Sequence, residues 1–269
     1  MRSRPVHRIL GDELPQRVAA YYEAADDGRV EDAVDQLSPD VLVALPPPDG
    51  HEVDPRRVVR GRAEMRRLLE ERGYPPVRHD LLLCVTDGST CMVEGLMRRR
   101  GSGEATNTFV AGFRLGPEAR IERYLAYACD PVALPPRDDA GETGDARAAI
   151  ERYFHALDAG RFEEAANQFS DDVMYCHPPY RHTGMTSNQR VVFTGRAELL
   201  AAFRERGKAD FHHLVLDFIQ RGPNALFELV VEGLPNGRTG GSICSLGLDD
   251  EGRIRRYVAF YTEPGVPLR

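Results

Sequence analysis

One long internal repeat limits the possible folds of this chain more than any other feature of its sequence. Residues 18–72 and 150–206 both contain a tyrosine seven residues before a Gly-Arg pair, followed by S-x-D-V, a Pro-Pro pair, R-V-V and G-R-A-E. The copies are offset by 132 residues before the loop that follows the prolines and by 134 residues after it, so the second loop is two residues longer. A period of this length predicts two whole domains rather than a solenoid of short units.

Size and charge agree with two domains and exclude several classes of partner. The chain has 269 residues, of which 42% are hydrophobic, and this is enough for a core in each half. A net charge of −7 gives no electrostatic case for binding nucleic acid or an anionic membrane. No apolar run reaches the length of a membrane span, and the start of the chain, MRSRPVHRIL, lacks the features of a signal peptide. We therefore expect a cytoplasmic protein.

The cysteines and histidines do not have the spacing of a metal site. Cys84 and Cys91 flank the turn DGST and could face each other across a hairpin, although buried free thiols are the simpler interpretation. His177, His182 and His213 are of a type that suits zinc or iron, but they show no H-x-H or H-x3-H spacing. We expect neither a metal nor a cofactor.

Each half is predicted to contain the same series of elements, with helices first and strands later. This order is typical of an α+β fold, and a stretch rich in Pro, Gly and acidic residues separates the halves. The predicted domains are 12–132 and 145–265, with a linker at 133–144. The predicted helices are 12–27, 30–37, 61–72, 145–159, 161–169 and 195–206, and the predicted strands are 41–45, 58–59, 77–86, 90–98, 107–115, 121–128, 173–177, 212–220, 225–233, 241–248 and 254–261.

The order of elements and the motif Y-x6-G … F-x-D-D-V … P … G-R-x-x-L resemble the nuclear transport factor 2-like superfamily. Within it the chain is most similar to ketosteroid isomerase and the SnoaL-like polyketide cyclases, over nearly its whole length and twice. The resemblance implies two tandem cone-shaped, curved antiparallel sheets, each packed by three helices around a pocket for a small molecule. It also implies that the two copies pair as an intrachain pseudo-dimer, with a further homodimer as an option.

The resemblance implies roles for two positions in each copy. The family's oxyanion-binding tyrosine corresponds to Tyr153 in the second copy and to Tyr21 in the first. The family's catalytic aspartate, which directly precedes a proline, corresponds to His177 and to Leu45. Since an imidazole titrates near neutral pH, His177 is a plausible base and Tyr153 a plausible hydrogen-bond donor. We therefore place the active pocket in the second domain.

A third family position departs from ketosteroid isomerase. The family's second oxyanion donor, a protonated aspartate, falls near Cys244 in the second copy and Ala111 in the first, and neither is an acid. The family also places an aromatic side chain near the pocket on the last strand, which points to Tyr261.

Further candidate residues come from positions that match between the copies and from the loops. His213 aligns with His79, and such a pair is either a pocket group or a shared structural bond. The strand register alone decides whether the aligned acids, Glu228 and Glu94, face inward. The candidate substrate-binding residues are His213, Glu228, Tyr261, His182, Tyr180, Tyr21, His79 and Glu94.

These observations predict a cofactor-independent acid/base enzyme, such as a cyclase, isomerase or dehydratase, that acts on a small apolar carbonyl compound in secondary metabolism. A non-catalytic protein that binds or sequesters a small molecule is the first alternative. The second is an epoxide-opening cyclase or hydrolase with paired carboxylates, for which Glu94, Glu228 and Glu232 are the available acids.

Overall fold

A computed structural model of the chain describes residues 16–45, 57–116, 120–132, 144–178, 190–234 and 239–262. The described residues up to Pro131 cluster in one compact unit, and those from Val132 onward cluster in a second. Apart from Gly144, the predicted linker lies outside the described residues. None of the helices in the described ranges combines the length and the apolar character that crossing a membrane requires.

The two repeats contain the same elements in the same order, and the predicted number of three helices in each is confirmed for the described ranges. In the first repeat these are α1 (Gln16–Asp26), α2 (Val30–Val34), β1 (Leu37–Leu45), β2 (Arg57–Arg60), α3 (Gly61–Arg72), β3 (Val77–Asp87), β4 (Thr90–Arg99), β5 (Ala105–Leu115) and β6 (Ile121–Cys129). In the second they are α4 (Ala146–Asp158), α5 (Phe162–Ala166), β7 (Phe169–His177), β8 (Val191–Thr194), α6 (Arg196–Arg206), β9 (His212–Arg221), β10 (Asn224–Glu232), β11 (Gly240–Leu248) and β12 (Ile254–Thr262).

Each repeat forms one six-stranded sheet with the same topology. The strand order is β2-β1-β6-β5-β4-β3 in the first repeat and β8-β7-β12-β11-β10-β9 in the second. Neighbouring strands run antiparallel except for β1 with β6 and β7 with β12, which are parallel. The predicted α+β fold is therefore confirmed, with the correction that each sheet is mostly rather than wholly antiparallel.

The first strand of each sheet begins earlier than the sequence pattern predicts. Leu37 already pairs with Ile121 in the parallel ladder, and pairing resumes at Leu42 after a shift in register. The second repeat has the same shift, since Phe169 pairs with Ile254 before pairing resumes at Met174. The short helices α2 and α5 therefore end several residues before their predicted ends, because the apolar residue assigned to each helix starts a strand.

The glycine of the repeated Gly-Arg pair has a clear conformational role. Gly28 and Gly160 adopt φ values of +68° and +75°, a left-handed conformation that ends the first helix of each repeat at little steric cost. At the other end of α4, the side chain of Asp145 accepts a hydrogen bond of 2.9 Å from the backbone N–H of Ala148. These two signals fix the length of α4 and thereby the position of the tyrosine that it carries.

Aromatic side chains fill the core between the helices and the sheet of the second repeat. Tyr153 from α4 contacts the rings of Phe169, Phe203 and Tyr257, with centroids 4.9 to 6.0 Å apart. Tyr175 of β7 stacks on Tyr257 at 4.8 Å. Because buried aromatic pairs contribute both apolar area and a preferred geometry, these rings hold the tyrosine hydroxyls in fixed directions.

Candidate active site

A small cavity lies between the helices and the sheet of the second repeat. Its volume is about 30 Å³, enough for one or two water-sized molecules. Apolar side chains such as Leu157, Leu229 and Val231 form much of its wall. The polar groups of the wall come from three tyrosines, two histidines, one arginine and one serine: Tyr153, Tyr175, Tyr257, His177, His213, Arg206 and Ser242. The cavity therefore has the lining of a small-molecule site, an apolar wall with a few convergent polar groups, at a volume far below the roughly 300–1,000 Å³ of such sites.

Two of the tyrosines form a hydroxyl pair at the cavity. The hydroxyl oxygens of Tyr153 and Tyr175 are 2.8 Å apart, and both side chains are buried. One hydroxyl donates to the other, so the remaining hydroxyl proton of the pair is directed away from the oxygen–oxygen contact. The hydroxyl of Tyr153, the predicted donor, is therefore hydrogen-bonded to the hydroxyl of Tyr175, a residue that the sequence did not single out.

His177 ends β7 and is held as a neutral ring. Its Nδ1 atom lies 2.7 Å from the carbonyl oxygen of Pro178, so Nδ1 carries the proton and donates it to that oxygen. Burial lowers the pKa of His177 to about 3; the bond to Pro178 acts in the opposite direction, while the positive charges of Arg206 and Arg190 lower it further. His177 is therefore neutral at pH 7, with Nε2 as its hydrogen-bond acceptor.

The second imidazole of the cavity, His213, is paired with a carboxylate. Its Nδ1 atom lies 2.6 Å from Oδ1 of Asp158, and its backbone N–H donates to Oδ2 of the same carboxylate over 2.9 Å. Burial lowers the pKa of His213, and the bond to Asp158 opposes this effect. For Asp158, burial acts to raise the pKa, but the hydrogen bonds from His213 outweigh it and leave the pKa lowered. The pair is thus a neutral imidazole that donates from Nδ1 to an ionised carboxylate.

The same pair is built into the first repeat. There the backbone N–H of His79 donates to Asp26 over 2.8 Å, and Nδ1 lies 2.7 Å from the other oxygen of that carboxylate. In both repeats the aspartate is the last residue of the first helix and the histidine lies near the start of the first strand of the hairpin. Asp158 was not among the predicted residues, although an aspartate two residues before the repeated glycine was a visible signal in both copies.

The repeats differ at one cross-strand pair beside this histidine. Gly95 pairs with Phe109 in the first repeat, and Leu229 pairs with Ser242 in the second. The Phe109 ring lies 5.0 Å from the ring of His79, and a Cβ atom added to Gly95 would come within 2.6 Å of it. The Phe109 ring therefore fills the space over Gly95, whereas the equivalent position in the second repeat, Ser242, lines the cavity.

Comparison with known families agrees with this duplicated architecture. The model of the SnoaL-like domain matches residues 18–124 and again residues 150–261. This chain belongs to the SnoaL-like domain family. The family resemblance predicted from the sequence is therefore confirmed for both repeats.

Solved structures similar to the chain each match about one SnoaL-like repeat. A proposed ketosteroid isomerase from Kribbella flavida is 28% identical, with a TM-score of 0.36, and the match covers 45% of this chain and 81% of that one. An NTF-2 like protein of unknown function from Burkholderia xenovorans is 20% identical, with a TM-score of 0.36 and coverage of 45% and 86%. A proposed polyketide cyclase from Sinorhizobium meliloti is 19% identical, with a TM-score of 0.34 and coverage of 42% and 94%. No curated protein matches the chain.

The glutamates at equivalent positions of the two SnoaL-like repeats, Glu228 and Glu94, lie on the face of their sheet that is opposite the helices. Glu228 lies between Phe227 and Leu229, which belong to the core on the helix side of the sheet. Since strand neighbours point to opposite faces, Glu228 is buried on the other face, and Glu94 has the same position in the first repeat. The prediction that these two acids shape a pocket is therefore wrong, because the strand register places them on the far side.

Other predicted residues of the first SnoaL-like repeat are part of its core. Tyr21 is buried and packs edge-on against the ring of Tyr124, with centroids 5.4 Å apart. The hydroxyl contact in this repeat joins Tyr22 with Tyr124 at 3.4 Å, so it does not reproduce the pair of the second repeat. His79 takes part in the pair with Asp26 described above.

The side chains of three predicted residues in the second SnoaL-like repeat lie outside the part of the chain that the structure describes. Tyr180 and His182 lie outside the residues that the structure describes. The backbone of Tyr261 pairs with Ser242 in the sheet, but its side chain is also outside the description. Their roles at the pocket remain predictions.

The cysteines in the described parts of the chain are free thiols, and they form no metal site there. The Sγ atom of Cys244, near which the resemblance placed the second acid of ketosteroid isomerase, lies 3.4 Å from the Tyr257 hydroxyl. Cys84 and Cys91 face each other across the hairpin, as the sequence suggested, with their Sγ atoms 3.5 Å apart as free thiols. Among the described residues, no group of three or more potential ligands could hold a metal ion.

Proposed function

We propose that the second SnoaL-like repeat is a cofactor-independent acid/base enzyme that acts on a small carbonyl compound. The observation that carries this proposal is the convergence of a tyrosine hydroxyl pair and two neutral imidazoles on one small cavity. A hydroxyl donor stabilises the negative charge that develops on a carbonyl oxygen during enolisation. An unprotonated imidazole nitrogen accepts the proton that leaves the neighbouring carbon.

The reaction class follows from these two groups. The imidazole nitrogen takes a proton from the carbon next to the carbonyl, and the electrons of that C–H bond form the enolate. Tyr153, with Tyr175, donates a hydrogen bond to the enolate oxygen. Return of the proton to another carbon gives isomerisation, attack of the enolate on a second carbonyl gives cyclisation, and loss of a β-hydroxyl as water gives dehydration.

The size of the cavity favours a small reacting group. A volume of about 30 Å³ is well below the roughly 150 Å³ of an engineered protein cavity that accepts benzene. We therefore propose that a carbonyl and its α-carbon enter between Tyr153 and the imidazoles, while the rest of a larger substrate stays outside. Secondary metabolism, antibiotic biosynthesis included, and a cytoplasmic location remain predictions for this enzyme.

Isomerisation of 4-penten-2-one to 3-penten-2-one by the full chain tests the proposal. This slim β,γ-unsaturated ketone gains ultraviolet absorbance on conjugation, and deuterium exchange of acetone and hydroxyacetone provides a second reading by NMR. We expect Tyr153→Phe to lower kcat by roughly 100-fold, as for the loss of one oxyanion donor, and the matched variant Tyr21→Phe to leave kcat unchanged. Binding of these ketones without isomerisation or exchange contradicts an enzymatic function.

Binding without turnover is the second candidate function, and one observation favours it. With a pKa of about 3, His177 is a weak proton acceptor at the place where the family has its catalytic base. If the protein only binds its ligand, we expect tight binding of a small apolar ligand, with an affinity that His177→Ala leaves unchanged. An epoxide-opening enzyme finds no support, because Glu94 and Glu228 face away from the cavity and Glu232 is exposed at the end of β10.

The pairing of the two repeats as an intrachain pseudo-dimer also stays a proposal, and a further homodimer is part of it. It is supported by the presence of two complete SnoaL-like repeats in one chain. Small-angle X-ray scattering combined with cross-linking tests this pairing, and two separate bodies on an extended connection contradict it.

A further inference from the structure

We propose that His213 is the catalytic base of the second repeat and that Asp158 is its positioning residue. This assignment rests on the proposed acid/base function and moves the base from His177, where the family resemblance placed it, to a different wall of the cavity. His177 then serves as a neutral hydrogen-bond acceptor for the substrate.

The geometry leaves one ring atom of His213 for chemistry. Nδ1 is bound to Asp158 at 2.6 Å, so Nε2 is the atom that can accept a proton from a guest in the cavity that the ring lines. The carboxylate also binds the backbone N–H of the same residue, which fixes the ring relative to the strand. Phe154 stacks on the ring at a centroid distance of 4.5 Å and an angle of 10°, and Phe211 closes it edge-on at 5.4 Å. The ring is thus held in one orientation before any substrate binds.

The surroundings of the two imidazoles differ in charge. When His213 accepts a proton, the imidazolium gains a carboxylate partner at hydrogen-bond distance, which stabilises the charged form. For His177, Arg206 and Arg190 both oppose protonation, and its ring donates to a neutral carbonyl. A proton removed from a substrate is therefore better held on His213 than on His177.

The charged and titratable groups around His213 come from several elements. Asp158 lies on α4 and favours the protonated ring, whereas Arg206 on α6 and His212 on β9 oppose it. His177 at the end of β7 is also close enough for the two rings to influence each other. Burial is the largest influence on this ring and lowers its pKa, and the hydrogen bond and charge of Asp158 act against it.

The proton transfer that we propose is balanced within the site. Nε2 of His213 takes the proton from the α-carbon, and the electrons of the broken C–H bond pass to the carbonyl as an enolate. The positive charge on the ring is then paired with Asp158 through Nδ1. The same Nε2 returns the proton to the γ-carbon, which restores the neutral ring and completes the isomerisation.

The first repeat provides a matched control for this role. His79 and Asp26 make the same two hydrogen bonds as their counterparts, but the Phe109 ring lies against His79 where Ser242 borders the cavity in the second repeat. If the histidine–aspartate pair is only structural, removal of the carboxylate should change kcat equally in either repeat. If the pair serves catalysis, kcat should change only when the carboxylate of the second repeat is removed.

The experiment compares Asp158→Asn with Asp26→Asn in the full chain, with 4-penten-2-one as substrate. We expect Asp158→Asn to lower kcat by roughly 100-fold or more with KM little changed, as for a residue that acts in the transition state. The midpoint of its pH–rate profile should fall by roughly one unit or more, since the carboxylate no longer stabilises the imidazolium. Asp26→Asn should change the urea midpoint of its own repeat and leave both kinetic quantities unchanged. His213→Gln should abolish turnover, whereas His177→Leu should retain part of it.

NMR of the unmutated protein provides a reading that depends neither on turnover nor on the folding of a variant. Long-range proton–nitrogen spectra at pH 7 should show His213 as a neutral ring with the proton on Nδ1. The opposite tautomer overturns the proposal, as does an equal loss of kcat in Asp158→Asn and Asp26→Asn. An active His213→Gln beside an inactive His177→Leu restores the base to His177. If the unmutated chain neither isomerises nor exchanges any of the ketones, the proposed function falls and this role falls with it.

Discussion

Replacing His177 by leucine should remove a large part of the acid sensitivity of the second repeat. The first repeat carries Leu45 at the equivalent position at the end of β1, so the chain itself shows that this scaffold accepts a leucine there. In the unmutated protein, the partly buried imidazole is neutral and its Nδ1 donates to the carbonyl oxygen of Pro178. Acidification of the unfolded chain protonates this ring, whereas in the folded chain burial opposes protonation.

The magnitude follows from the lowered pKa, which falls from 6.5 to about 3 on folding. A group whose pKa is lowered in the folded state contributes stability that is fully present above pH 6.5 and lost as the pH falls toward 3. At about 1.36 kcal/mol per pKa unit, the full loss across this range is about 5 kcal/mol. The same linkage gives a loss of about 2 kcal/mol between pH 7 and pH 5. This loss should be absent from His177→Leu.

Hydrogen exchange in increasing urea measures this difference in the full chain. The free energy of opening is read from peptides of residues 144–178 at pH 7, 6 and 5, and peptides of residues 16–45 serve as the internal reference. The other titratable groups of the second repeat, His213 among them, are present in both proteins and cancel in the comparison. Equal losses of stability in the unmutated protein and in His177→Leu would refute the conclusion that burial holds this imidazole neutral.

Three further predictions follow from the cavity and its neighbours. Ser242→Phe combined with Leu229→Gly reproduces the arrangement of the first repeat, in which a phenylalanine ring fills the space over a glycine. This double variant should abolish ketone turnover while the circular dichroism spectrum stays unchanged. Retained turnover contradicts the assignment of the cavity as the reaction site. Tyr175→Phe leaves the buried hydroxyl of Tyr153 without its 2.8 Å partner and should cost about 1–3 kcal/mol of stability in thermal unfolding, and an unchanged melting temperature speaks against the hydroxyl pair. Burial raises the pKa of Cys244 to about 11, so this thiol should react with a disulfide reagent at pH 8 only after urea unfolds the protein, and fast labelling of the native chain contradicts its burial.

Most of the fold could be predicted because the sequence contains the same series of motifs twice. The repeated tyrosine, glycine and proline positions predict the order of helices and strands in both halves, and this order is confirmed in both repeats. The predicted ends of α2 and α5 were wrong because a single apolar residue satisfies a helical spacing as well as a strand. The choice at Leu37 depends on its parallel pairing with Ile121, a contact between residues far apart in sequence.

The site could be predicted only where it depends on local sequence or on the family. Tyr153 and His177, selected through the resemblance, both line the cavity, although their chemical roles remain predictions. Asp158 was missed because its partner lies 55 residues away, and no periodicity signals such a bond. The sequence left the orientation of Glu228 undecided, because the alternation of residues along a strand does not show which face of the sheet packs against the helices. These outcomes depend on register and long-range packing.

The side chain of Phe109 has a practical consequence for protein engineering. Gly95 must remain glycine, because a Cβ atom there would collide with the backbone oxygen of Asp80 as well as with this ring. Shortening this phenylalanine to serine would therefore open space beside Gly95 and the ring of His79 in the first repeat. Such a truncation is expected to cost about 3–5 kcal/mol of stability, so a cavity opened in the first repeat would have to be offset by stabilising changes elsewhere.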